Sequence, residues 1–285
     1  MNTSNSRKDD AGGVFFRQRR NRNMGLFDKL RGRKEDSSTP AGEDKLGPIV
    51  GFVLLDKPQY DFDSFIEKLN EQWGIETGKE KAEESIVFEV DGMKVACGYM
   101  PAVIPNREVE ENCKYNFLWR EAEQVVSTHK AHIIVSVLGA EDAIEGHKLF
   151  TKVASSLLQT QSAIAIYTAP LVMEAGQYVD LALSLKEDTL PVVLWVFIGM
   201  YQNEQGVGAY TVGLRSFGKD EIEIVNSNQS AGDVFELVTV IVSFIIENDV
   251  TLRDGETIGF SAEQKLSLTR SPGVAAEGDS IKIGF

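Results

Sequence analysis

The sequence predicts an α+β protein made of two ferredoxin-like halves, each in the order β-α-β-β-α-β, joined by a helix and ended by a C-terminal hairpin. Three observations predict it. Apolar residues switch between strand and helix spacing in that order over residues 48–140. A helical stretch at 142–160 follows, and the same order of elements returns over 161–261, without residue identity between the halves. Residues 262–285 then hold two segments that alternate apolar and polar side chains.

Residues 48–55 form a continuous apolar run, which reads as a strand. Asp61, Asp63 and Ser64 are each able to cap the helix that follows, and Ser64 and Glu67 have capping-box spacing. Phe62, Phe65, Ile66, Leu69 and Trp73 share the apolar face of that helix. Strands 85–90 and 94–99 flank Asp91-Gly92, two residues suited to the left-handed conformations of a tight hairpin turn. After a loop at 101–105, Tyr115, Leu118, Ala122, Val125 and Val126 mark a second helix. Strand 131–138 is apolar almost throughout, the pattern of a strand buried on both faces.

Phe150, Val153, Ala154, Leu157 and Leu158 give the connecting helix its buried side. The second half reads as strand 163–167, helix 171–185, strands 192–198 and 209–214, helix 233–247 and strand 256–260. Segments 190–201 and 234–246 are strongly apolar, but both fall short of the ~20 residues that cross a bilayer. Glu236, Thr239, Ser243 and Glu247 also put a polar stripe on the second of them. No stable membrane insertion is expected. Strands 265–270 and 279–285 are expected to pair around a loop that opens at Ser271-Pro272-Gly273.

Two cysteines in 285 residues, Cys97 and Cys113, are too few for a disulfide scaffold, so a reducing, cytoplasmic setting is expected. The formal net charge of -14 is unevenly spread. Residues 1–47 hold 11 Lys and Arg against 7 Asp and Glu, which leaves 18 basic and 36 acidic residues for the other 238. Phosphate backbones demand clustered cations, so the body has the wrong sign for a nucleic acid. It suits a small ligand or a protein partner, basic if a protein. Residues 1–47 read as a flexible leader and linker. Met24-Gly25-Leu26-Phe27 looks like a natural start, and Leu26, Phe27 and Leu30 are too few for a firm membrane anchor.

The chemistry-bearing residues are few. His129, His132 and His147 lie close together in sequence, but they fall on a helix end, a strand and a second helix, with no completed zinc-ligand pattern. His129 suits a helix C-terminus, where the dipole favours a cation, and His132 a packed strand position. Cys113 stands too far from His129 for a dyad if one helix holds both, and Cys97 reads as a small buried residue. The turn Gly139-Ala140-Glu141-Asp142 would repel phosphate, and its acids suit a helix N-terminus. Dinucleotide, P-loop and nucleophile-elbow motifs are absent from the sequence, so no cofactor is expected. Glu174 and Gln177, at the start of a helix after a strand, could face a cleft, and Trp119 could line one.

Gly51-Phe52-Val53-Leu54-Leu55, Trp119-Arg120-Glu121-Ala122, His129-Lys130-Ala131-His132 and Asp254-Gly255-Glu256-Thr257-Ile258-Gly259 resemble an uncharacterised bacterial family, the domain-of-unknown-function family 4261. The resemblance spans the body from about residue 47, and its motifs are diffuse. It implies a shared fold and a bacterial cytoplasmic protein, and it brings no activity or site. The reading that follows is a non-catalytic binding or regulatory protein with an acidic surface, of which an immunity-type inhibitor of a basic toxin is one form. Trp119, His129, His132, Glu174 and Gln177 are its candidate binding residues. The alternative is an enzyme whose site gathers His129, His132 and Glu174.

Overall fold

The computed structural model describes residues 46–78, 83–114, 116–259 and 265–285. The expectations for Met24, for Leu26, Phe27 and Leu30, for Tyr115 and for residue 260 lie outside them. The described residues form a mixed α+β structure of two six-stranded sheets and six α-helices.

The first sheet takes β1 (Ile49–Leu55), β2 (Ser85–Val90), β3 (Met93–Met100), β4 (Ala131–Leu138), β5 (Ala163–Thr168) and β6 (Leu171–Glu174). Its order is β2-β3-β4-β1-β5-β6, and every pair is antiparallel. Helix α1 (Phe62–Trp73) buries Phe62, Phe65 and Leu69. Its cap is Asp61, which accepts from the Ser64 amide at 2.8 Å. The β2–β3 hairpin turns on Asp91 and Gly92, both at positive φ.

This order corrects the ferredoxin-like expectation. A ferredoxin-like sheet puts β1 between β3 and β4; here β4 stands between β3 and β1. The cause lies in residues 101–130. The expected single helix is two short ones, α2 (Glu108–Cys113) and α3 (Ala122–Val126). They cross the sheet face opposite α1, so the chain re-enters beside β3. Val53, Leu55, Ile133, Val135 and Ile166 point to the face that meets α1, while Phe52, Leu54, Ala165 and Tyr167 point to the α2–α3 face. Strands buried on both faces need both faces covered.

The second half departs further. β5 and β6 extend the first sheet beside β1 and do not begin a second one. Residues 171–174 pair with β5 across a turn with a cis Ala169–Pro170 peptide, so the expected helix starts only at Ala175, as α5 (Ala175–Ala182). The expected strand at 192–198 begins as a 3-10 turn, Val192–Leu194, and the strand is β7 (Phe197–Asn203). It pairs with β8 (Gly206–Val212), and β8 with β9 (Glu221–Ser227), a strand the sequence reading missed. Helix α6 (Ala231–Glu247) follows, capped by Ser230. Then come β10 (Thr257–Ile258), β11 (Leu266–Pro272) and β12 (Asp279–Ile283). The expected C-terminal hairpin is present as β11–β12, and β12 adds itself parallel to β9, giving the order β10-β11-β12-β9-β8-β7.

Helix α4 (Ala143–Leu158), expected as a connector, is the centre of the core. Asp142 caps it by accepting from the Ile144 and Glu145 amides. It packs on β1, β4, β5, α1 and α5, and the Trp195 indole reaches it from the second half, donating to Thr151 at 2.8 Å. Gly51 on β1 leaves room for it, since a Cβ there would stand 2.7 Å from the Phe150 ring.

Two buried acids organise the second sheet. Glu221 accepts from Thr211 Oγ1 at 2.7 Å and from the Gly213 amide at 2.9 Å, holding the turn that leads to the 3-10 segment Leu214–Phe217. Glu223 is fully buried and accepts from the Val274, Ala275 and Ala276 amides, from Ser280 Oγ and from Lys282 Nζ. Burial alone would raise its carboxyl, but these donors outweigh it and hold it down at about 2. A carboxyl depressed in the fold stabilises above its unfolded value near 4.5, and that stability is lost as pH falls through about 2. Glu223→Gln is expected to cost up to about 3 kcal/mol at pH 7. It should also flatten the acid limb of a urea-denaturation series, which would otherwise descend from about pH 4.5.

Candidate functional site

The α2–α3 segment is fastened to the first sheet by a row of polar side chains. His129 Nδ1 donates to the Val126 carbonyl at 2.5 Å, and its Nε2 accepts from the Ile104 amide at 3.0 Å. His132 Nδ1 bonds the Ala102 carbonyl at 2.7 Å, and its ring meets Phe52 edge-on at 5.8 Å. Phe52 stacks on Tyr167 at 5.9 Å. The Tyr167 hydroxyl donates to Glu108 Oε1 at 2.9 Å and accepts from Asn112 Nδ2 at 3.0 Å. Asn116 completes the row: its Nδ2 donates to the Val172 carbonyl on β6, and its Oδ1 accepts from the Leu118 and Trp119 amides.

Both candidate histidines therefore serve the backbone of the segment above them. His129 and His132 are each 4% exposed and near each other, whereas His147 lies on α4 between Trp195 and Phe217, with Nδ1 bonded to the Ala143 carbonyl. Among the described residues no group of three His, Cys, Asp or Glu side chains could hold a metal ion. Cys97 points to the α1 face, away from His132. Cys113 is buried, and desolvation, reinforced by Glu110 and Glu123, pushes its thiol up to about 12, so it is no nucleophile at neutral pH.

Glu174 does not join the histidines. His132, Leu54, Ala165 and Glu174 are successive partners across β4, β1, β5 and β6, so they share one sheet face. Three strand spacings still separate His132 from Glu174, about 14 Å at the standard interstrand distance. Glu174 is exposed at the end of β6, Gln177 is half-buried on α5, and Trp119 packs half-buried against the Phe52 and Leu54 side.

A feature that the sequence reading missed lies beside Trp119. Asn116, Phe117 and Leu118, Leu171 and Met173 of β6, Val193, Val196, Phe197 and Ile198 around the start of β7, and Phe235 of α6 line an apolar cleft between the edges of the two sheets. Phe117 and Leu118 are each 48% exposed there, and Phe117 lies 6.0 Å from the Phe235 ring. The cleft encloses about 30 Å³, room for one or two waters. It is too small to enclose a cofactor. Glu174 and Glu236 are exposed next to Met173 and Phe235 in sequence, but neither lines the cleft, and on β6 Glu174 turns to the sheet face opposite Met173. The signal was present as Phe117-Leu118-Trp119, but it reads as helix core until Asn116 is seen to break the helix.

His132 and His147 are both held below the ordinary imidazole value of 6.5, chiefly by burial and against the pull of a carbonyl hydrogen bond. The unfolded chain then takes up protons that the fold rejects. Stability from these two groups is whole above about pH 6.5 and is lost as pH falls through their lowered folded values. Urea midpoints are expected to drop from pH 7 to pH 5, and His147→Phe is expected to remove part of that drop.

No curated protein and no solved structure matches the chain. Residues 210–284 take in the end of β8, then β9, α6, β10, β11 and β12, with Glu221 and Glu223 among them. Over residues 210–284 the chain matches the family model described as a domain of unknown function (DUF4261).

Proposed function

We propose that the protein is a non-catalytic binding or regulatory module of the cytoplasm that holds a basic protein partner at the cleft between its two sheets. The observation that carries this is the pair Phe117 and Leu118, each half-exposed over an apolar floor in an acidic body. Exposed apolar clusters with a polar rim are characteristic of protein contact sites. The acidic body adds long-range attraction, which raises the encounter rate with a basic partner. An immunity-type inhibitor, which masks a basic toxin by covering its surface, is the concrete form of this reading. Trp119, next to Leu118 in sequence, packs on the Phe52 and Leu54 side of the same segment. The enzyme alternative is weaker because His129 spends both ring nitrogens on backbone and Glu174 stands on a distant strand.

The test is affinity capture by the immobilised full chain in its native lysate, with mass spectrometry of what is retained. A stoichiometric basic protein is expected. Leu118→Asp is expected to weaken its retention about tenfold or more, the loss of one central apolar anchor, with the melting temperature unchanged. Equal retention by the variant, or a metal or nucleotide carried through purification in place of a protein, would overturn the reading.

A further inference from the structure

The α2–α3 segment covers only part of its sheet face. α2 and α3 pack chiefly on β5 and β6, and the cluster beneath them holds Phe52, Leu54, Ala165, Tyr167 and Val172. The same face runs on across β4, β3 and β2 as a shallow trough. Val87, Ala96 and Ser136 form one cross-strand row on it, with Gly98 and Met100 to one side and Leu138 to the other. A Cβ at Gly98 would meet no described atom within 4 Å, so the floor there is bare. Met100 is 42% exposed and Leu138 39%, while Val87, Ala96 and Ser136 are half-buried. From the Met100 row to the Leu138 row is three two-residue steps, about 20 Å.

An antiparallel sheet that leaves one face to water carries polar side chains on that face. This face does not. Its charged residues, Glu89 and Lys94, oppose each other in the Leu138 row at one end, and its middle is Val, Ala, Gly and Ser. The chain itself supplies an occupant. The described residues begin at Leu46, and β1 pairs Val50 with Ser136, so the chain enters the fold at the border of the trough. Among the residues before Leu46, the stretch 24–34 brings Leu26, Phe27 and Leu30 together with Lys29, Arg31, Arg33 and Lys34, against the single acid Asp28. The chain beyond residue 47 is acidic by 36 residues to 18. We propose that residues 24–34 dock on this trough of the same chain, their apolar side chains on the floor around Gly98 and their cations drawn to the acidic body.

Reach and strength both allow it. The residues between Leu30 and Leu46 extend to ~50 Å, more than twice the length of the trough. Three apolar residues bury too little to bind firmly as a separate molecule. A tethered segment, however, meets its site at an effective concentration of order millimolar. Salt screens the attraction between the segment and the body, so the contact weakens as salt rises. The trough lies on β2, β3 and β4, and the apolar cleft lies at β6 and β7, so the inference does not depend on what the cleft holds.

Phe27→Cys combined with Ser136→Cys in the full chain, dilute and mildly oxidised, is expected to give a disulfide within one chain, and less of it at high salt. Phe27→Cys combined with Leu118→Cys, at the cleft, or with Val240→Cys, exposed on α6, is expected to give little. Cys97 and Cys113 are buried and stay silent. Trypsin supplies a check that needs no cross-link. Gly98→Arg fills the bare floor with a cation and is expected to speed cleavage after Arg31, Arg33 and Lys34 about fivefold or more, because cleavage follows the undocked fraction. Phe27→Asp, which leaves the sheet untouched, should do the same with the melting temperature unchanged. Equal cleavage rates in wild type and both variants would overturn the inference. So would a disulfide that forms as readily with position 118 or 240 as with position 136, or one that joins two chains. Leu118→Asp is expected to leave the cleavage rate unchanged, which separates this contact from partner binding at the cleft.

Discussion

Helix α4 is buried around most of its circumference, and the two sheets can share one core only because it is. Sixteen residues long, it leaves little of its surface to water, including Thr151, Ser155 and Ser156. Buried hydroxyls demand partners. Ser155 and Ser156 donate to the Lys152 carbonyl within the helix. Thr151 instead takes the indole N–H of Trp195, which ties the helix to the second half. His147 sits one turn earlier, against Trp195 and Phe217, so one helix face carries the junction of both sheets. One apolar cluster consequently runs from α1 through α4 to α6 and β12.

The second constraint is polar. β9 sends Ile222 and Ile224 into the core and Glu221 and Glu223 the other way. Carboxylates so placed are costly unless their lone pairs are satisfied. Each is satisfied by a loop, Glu221 by the turn at residues 213–215 and Glu223 by residues 274–276, so the acids shape the loops that cover them. In the first sheet the same task falls to His129, His132, Tyr167 and Asn116, which fix the 101–130 segment to the face it covers.

Element types were more legible in the sequence than their arrangement. Local signals identified α1, α4, α6, the Asp91-Gly92 hairpin and the C-terminal pair, because caps, apolar period and turn chemistry are written within a few residues. Strand order was not, since it depends on which face the α2–α3 segment covers, and no local pattern records that. The helix expected from 171 fails for a related reason: Leu171 to Glu174 carry no strand signal until β5 is there to pair with them. β9 was readable from the alternation of Glu221, Ile222, Glu223 and Ile224, yet two acids in a strand look like an exposed segment. Of the site, Trp119 and the histidines were noticed for their chemistry. Their actual work, packing and hydrogen bonding under a covering segment, belongs to the tertiary structure. The cleft at Phe117 and Leu118 was hidden because an exposed pair and a buried pair of apolar residues are spelled alike.

The family match begins at residue 210, inside the span of β8, and leaves β7 and the whole of α4 outside it. Helix α6 nonetheless packs on β7 and β8 together. The stretch that the family model matches is thus smaller than what stands as a unit of folding. Excised at that border, the segment would carry a sheet torn through one of its own strands and a helix with half its floor missing.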